Sequence, residues 1–86
     1  MFLIMGTPIL RYKLELTDTF GGEANYSWIM RADAKINANY SGPWIVRQAK
    51  AALGLTGMKG KTTDFGDSIR VDFPSDCMVL FINLAS

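Results

Sequence analysis

The stretch Ile9-Leu10-Arg11-Tyr12-Lys13-Leu14-Glu15-Leu16 decides the fold. Leu10, Tyr12, Leu14 and Leu16 fall on one side, and Arg11, Lys13 and Glu15 on the other. A strict period of two over eight residues is the mark of a half-buried strand. The same alternation returns from Asn25 to Ile36. Tyr26, Trp28, Met30, Ala32, Ala34 and Ile36 share the apolar face there, with Asn25, Ser27, Arg31, Asp33 and Lys35 opposite. Ile29 is the exception. Between the two runs, Thr17-Asp18-Thr19-Phe20-Gly21-Gly22-Glu23 carries turn residues. It reads as a hairpin connection too long for a two-residue turn.

Beyond the hairpin the period changes. Pro43 to Leu53 places Ile45, Ala49, Ala52 and Leu53 on one helical stripe, with Trp44 or Val46 at its edge and Arg47, Gln48 and Lys50 on the other side. Ser41 or Gly42 serves as N-cap, Pro43 suits the first turn, and Gly54 stops the helix. Three strands follow: Met58–Thr63, Ser68–Phe73 and Cys77–Leu84. The second has Ile69, Val71 and Phe73 inward. The third is nearly continuous hydrophobe, as a central strand is. The expected fold class is α+β, in the order ββαβββ, with one antiparallel sheet and a single helix packed on one face. Three helical turns cannot cover five strands. Trp28, Phe20, Phe65, the N-terminal segment or a second copy of the chain must close the rest, so a homodimer is one expectation.

Eighty-six residues at 49% hydrophobic and 20% charged make one domain and exclude a disordered tail. Residues 1–8 are expected as a flexible lead or an added edge segment. The run Met1–Met5 is too short for a secretory core or a membrane span. No membrane association is therefore expected, and the expected location is cytoplasmic. The single cysteine, Cys77, lies in an apolar run and reads as a buried, inert thiol.

Chemistry is thinly represented. There is no histidine, which removes imidazole bases and ligands. Gly57-Met58-Lys59-Gly60-Lys61-Thr62 ends like a phosphate loop, yet the glycine required with four residues between it and Gly60 is replaced by Leu55, and the segment opens a strand instead of a helix. Asp18 with Glu23, and Asp64 with Asp67, do not have calcium-loop spacing. The expectation is no enzyme, no metal and no cofactor.

Charge placement is more informative. The alternation puts Arg11, Lys13, Arg31, Lys35 and Arg70 on the polar sheet face, joined by Lys59 and Lys61. Only Glu15, Asp33 and Asp72 oppose them there, so a near-neutral chain has a basic face with an acidic rim. Such a face suits a phosphate backbone or an acidic protein. The plain alternative is a solvated face laced with cross-strand ion pairs. Phe20 and Glu23 sit on the glycine loop, where binding residues often lie. The competing expectation is that Phe20 folds back beside Trp28 to plug the core.

The segment Thr17-Asp18-Thr19-Phe20-Gly21-Gly22-Glu23-Ala24-Asn25-Tyr26-Ser27-Trp28 resembles a recurrent segment in small accessory proteins of bacterial phages and plasmids. A weaker similarity runs along Ile45–Gly54. The resemblance carries no catalytic or binding residues with it. It implies a setting, a mobile element in a bacterial cytoplasm. There small proteins block host defence complexes in the anti-CRISPR or anti-restriction manner. The functional expectation is a non-enzymatic binding protein of that kind, with Arg11, Lys13, Arg31, Lys35, Phe20 and Glu23 as partner-binding residues. The partner is a host protein complex. The alternative is a small nucleic-acid-binding module using the basic sheet face.

Overall fold

The computed structural model describes residues 9–85. The expectations for residues 1–8 lie outside them. The elements are β1 (Ile9–Phe20), β2 (Glu23–Asn37), α1 (Gly42–Ala52), β3 (Lys61–Asp64), β4 (Ser68–Phe73), a short 3-10 turn at Pro74–Asp76 and β5 (Met78–Leu84). All five strands form one sheet in the order β2-β1-β5-β4-β3, and every pairing is antiparallel. The ββαβββ order and the single helix match the sequence reading.

β5 lies at the centre, which is why its sequence is apolar on both sides. Val79, Leu80 and Ile82 are fully buried. On the helix side the core joins Tyr12, Leu14 and Leu16 of β1 to Ile36 of β2, Ile69, Val71 and Phe73 of β4, and Val46 and Ala49 of α1. Each large side chain buried there stabilises by about 1.5–3 kcal/mol before entropy is counted.

The helix ends where its glycine predicts. Gly54 takes φ +73. Its N–H donates to the Ala51 carbonyl, and the Leu55 N–H donates to the Lys50 carbonyl at 2.7 Å. This reverse turn delivers Leu55 into the core. The buried stripe is rotated from the expected one. Val46 and Ala49 are buried, Ile45 and Leu53 are half-buried, and Ala52 is exposed.

β3 is shorter than expected and begins at Lys61. Gly60 explains the start. A Cβ there would lie 2.7 Å from Val71 Cγ1, 2.8 Å from the Asp72 carbonyl oxygen and 2.9 Å from Phe73 Cε1. Gly60 is thus a packing glycine pressed on β4. Cys77 also departs from expectation. It adopts a left-handed conformation, φ +52, after the 3-10 turn, and its thiol is exposed. β5 starts one residue later.

Candidate functional site

The hairpin connection is tighter than its composition suggests. Phe20 pairs with Glu23, leaving a two-residue Gly21-Gly22 turn with φ +63 and +84. Both central residues need positive φ in a turn of this hand, and glycine adopts it without strain. Thr17, Asp18 and Thr19 therefore belong to β1 and not to a loop.

The irregularity lies behind the turn. Thr17 pairs with Ile29 and Thr19 with Ala24, so Asp18 alone stands opposite Asn25, Tyr26, Ser27 and Trp28. Tyr26 absorbs the extra length at φ +57. A large bulge of this kind bends the ribbon. The Thr17 hydroxyl, on a residue with no exposed surface, donates to the Trp28 carbonyl at 2.7 Å and accepts from the Tyr26 N–H at 3.1 Å. The Asp18 carboxylate accepts from the Ser27 hydroxyl at 2.6 Å, the Ser27 N–H at 2.9 Å and the Asn25 amide at 2.9 Å. The Ser27 hydroxyl and then the Asn25 amide hold this carboxyl well below the usual carboxylate range.

The bent tip lies against the sheet face away from the helix. The Arg70 guanidinium donates to the Gly22 carbonyl at 3.0 Å and is paired with Asp72 at 3.0 Å. It also lies 5.7 Å from the centre of the Phe81 ring. Thr17 and Val79, which belong to that face by register, are completely buried. Arg70 is thus a clamp holding the tip, not a free member of a basic surface.

The tip leaves its aromatic residues outward. Phe20 is 79% exposed, Tyr26 54% and Trp28 42%. This corrects two expectations. Phe20 does not plug the core, and Tyr26 and Trp28 are not covered, because the bulge interrupts the alternation and α1 packs at the other end of β2. Ile29 and Met30 extend the exposed group. These five make up half of the ten large hydrophobic residues exposed among the described residues, so apolar exposure is concentrated here. Within this stretch of chain the charges are all acidic, while Arg70 reaches the turn from β4 and Arg31 follows Met30. From Leu14 to Met30 the chain carries Glu15, Asp18 and Glu23 and no lysine or arginine.

The expected basic face is built, and half of its cations are offset by carboxylates. Register places Arg11, Lys13, Arg31, Lys35, Lys61 and Arg70 on it, with Glu15, Asp33 and Asp72. Lys59 precedes β3 and is not part of it. Arg31 pairs with Glu15 at 3.2 Å, Lys13 stands opposite Asp33, and Lys61 opposite Asp72. Exposed pairs of this sort are worth about 0–1 kcal/mol, but they remove a continuous positive field. A shallow depression of about 450 Å³ between Lys13, Glu15, Arg31, Asp33 and Asn83 alternates in sign for the same reason. Only Arg11 and Lys35 face each other as like charges. Phe20 and Glu23 lie nine residues along β1 from Arg11, roughly 30 Å of extended chain. The six expected binding residues thus fall into two separate places.

Sequence reasoning passed over a second concavity. A groove of about 760 Å³ runs between α1 and the loop before β3, lined by Arg47, Lys50 and Lys59 with no carboxylate. Lys50 is committed to the Met58 carbonyl, and the Arg47 guanidinium stacks 4.4 Å from the Trp44 ring centre. The three-residue spacing of Arg47 and Lys50 beside the basic Gly57–Lys61 loop was the available signal. Among the described residues, no three Asp, Glu or Cys side chains gather as metal ligands, and no helix is long and apolar enough to cross a membrane.

The fold and the tip together define a small α+β protein with a braced aromatic hairpin tip bent back on its sheet. No protein-family model, curated protein or solved structure matches the chain.

Proposed function

We propose that this is a non-enzymatic binding protein that docks on another protein through its hairpin tip. The observation that carries the reading is an exposed aromatic apex, Phe20 and Tyr26, on a braced bulge whose own chain carries only acids, the adjacent Arg70 being committed to Gly22 and Asp72. Aromatic anchors dominate protein interfaces, and fixing them in advance lowers the entropy lost on binding. The acidic border disfavours a phosphate backbone and favours an apolar cleft rimmed by lysine or arginine. In the mobile-element setting implied by the Thr17–Trp28 resemblance, the partner is a host defence complex, and inhibition follows from covering a functional surface. The missing histidine and the absence of a cofactor motif support a role without catalysis.

The second reading, a nucleic-acid-binding module, is favoured by the carboxylate-free groove of Arg47, Lys50 and Lys59. One experiment separates the two. Immobilised protein is exposed to nuclease-treated and untreated bacterial lysate, alongside F20A/Y26A and R11E/K35E variants. The first reading predicts a protein retained after nuclease treatment, kept by R11E/K35E and reduced at least tenfold by F20A/Y26A. Retention of nucleic acid by both variants, lost on R47E/K59E substitution and weakening steeply with salt, would establish the second reading instead.

A further inference from the structure

We infer that the outer edge of β2 pairs with the same edge of a second copy, around a two-fold axis at Ala32. This is independent of the tip reading, since Phe20, Glu23 and Tyr26 lie outside the paired stretch.

The two edges of the sheet differ. β3 closes one edge with four residues, a length too short to recruit another chain. β2 forms the other with fifteen residues and contains neither proline nor glycine. From Ile29 to Asn37 its register with β1 runs without a bulge. Among the described residues nothing pairs with its outer side. Edges of this length are normally blunted by proline, bulges or charged side chains; here the bulge is confined to residues 25–28 and the charges Arg31, Asp33 and Lys35 alternate in sign.

The phase of the backbone identifies the groups left open. The Ala85 N–H donates to the Arg11 carbonyl at 2.8 Å, and the Thr19 N–H donates to the Cys77 carbonyl at 2.9 Å. Odd-numbered residues of β1 therefore turn their peptide groups toward β5, and even-numbered ones toward β2. Ala32 and Ala34, opposite Leu14 and Tyr12, bond to β1. Arg31, Asp33 and Lys35 then direct their N–H and C=O groups outward.

The charges select the register. Paired residues share a face, so a two-fold that keeps the charged face continuous centres on one residue. Centring on Arg31, Asp33 or Lys35 sets like charges opposite each other. Centring on Ala34 pairs Asp33 with the partner's Lys35, but it leaves Arg31 facing a neutral asparagine, Asn37, and ends each row with two adjacent cations, Lys35 and Arg11. Centring on Ala32 sets Arg31 opposite the partner's Asp33, and Asp33 opposite the partner's Arg31. These are also the residues whose peptide groups are free. With Glu15 beside Arg31 and Lys13 beside Asp33, each row reads minus, plus, minus, plus across four strands. On the helix side the same register places Met30, which α1 leaves exposed, against the partner's Ala34.

The test is sedimentation of the full chain across the micromolar range, with two variants. Twice the chain mass is expected. D33P places proline where the N–H faces solvent in the monomer, so it is expected to keep the circular dichroism and to weaken association at least tenfold. In a C77S background, A32C is expected to form an intermolecular disulfide on mild oxidation, because a pair at the axis has Cα atoms about 4.5 Å apart. A34C is not, since its copies lie about 13 Å apart along the strand. A monomer throughout the range overturns the inference. So does a dimer that D33P leaves intact, or a dimer that A32C does not cross-link. If D33P fails to fold, the cross-link decides.

Discussion

Thr17→Val is expected to destabilise the protein by about 2–3 kcal/mol and to lower its thermal midpoint by on the order of 10–20 °C. Valine keeps the shape and removes only the hydroxyl. In the wild type that hydroxyl serves two backbone groups across the ribbon, the Trp28 carbonyl and the Tyr26 N–H. Without it both lose their partner beside a residue with no exposed surface. A buried group left unpaired costs about 1–3 kcal/mol, against about 4–13 kcal/mol of total stability for a chain of this length. Thr17→Ser retains the hydroxyl and gives up one methyl group, so its loss is expected to be about 1 kcal/mol. Melting curves of the two variants by circular dichroism check this. Equal midpoints for Val and wild type would show that the bulge does not depend on the hydroxyl.

Gly60→Ala is expected to cost about 2–3 kcal/mol, for the opposite reason. It inserts one carbon where three atoms already stand within 3.0 Å. One of them is the Asp72 carbonyl oxygen in the β4 backbone, and the other two belong to Val71 and Phe73, which are buried. None can swing aside as an exposed side chain would, so β3 must lift from β4 or the loop must shift. Gly57 offers the contrast. Nothing lies within 4 Å of its Cβ position, and only its φ of +90 opposes a side chain. Gly57→Ala should therefore cost about 1–2 kcal/mol, the penalty of left-handed backbone alone. Urea unfolding of both variants measures the difference. A Gly60→Ala variant as stable as wild type would mean that this loop is loosely held.

Much of the sheet was legible because period two is a local signal. Ile9–Leu16 and Ser68–Phe73 alternate cleanly, and both are strands with the expected faces buried. Pro43 and Gly54 bracket the helix through backbone restrictions that are equally local. The tip was not legible. Its turn residues suggested a long loop, whereas Gly21-Gly22 alone makes the turn and Asp18 organises a bulge with residues seven to nine positions away. No periodicity encodes that arrangement. Arg70 was placed on the correct face, but its clamp on Gly22 spans 48 positions and depends on the tip bending back. The same holds for the cations. Alternation gave their face, while the cross-strand register that sets Arg31 beside Glu15 and Lys13 opposite Asp33 decided how much charge remained. Cys77 was misjudged from its apolar neighbours, since the 3-10 turn before it forces a left-handed residue at the surface.

Docking through the tip requires a tip that is already formed before any partner arrives. The most direct test is backbone amide relaxation by NMR across residues 18–28, compared with β5. The expected result is order parameters near 0.85 in both, since Thr17, Asp18 and Arg70 fix the bulge and turn from three sides. Values below about 0.6 from Phe20 to Tyr26, with β5 rigid, would contradict it and remove the pre-formed docking surface.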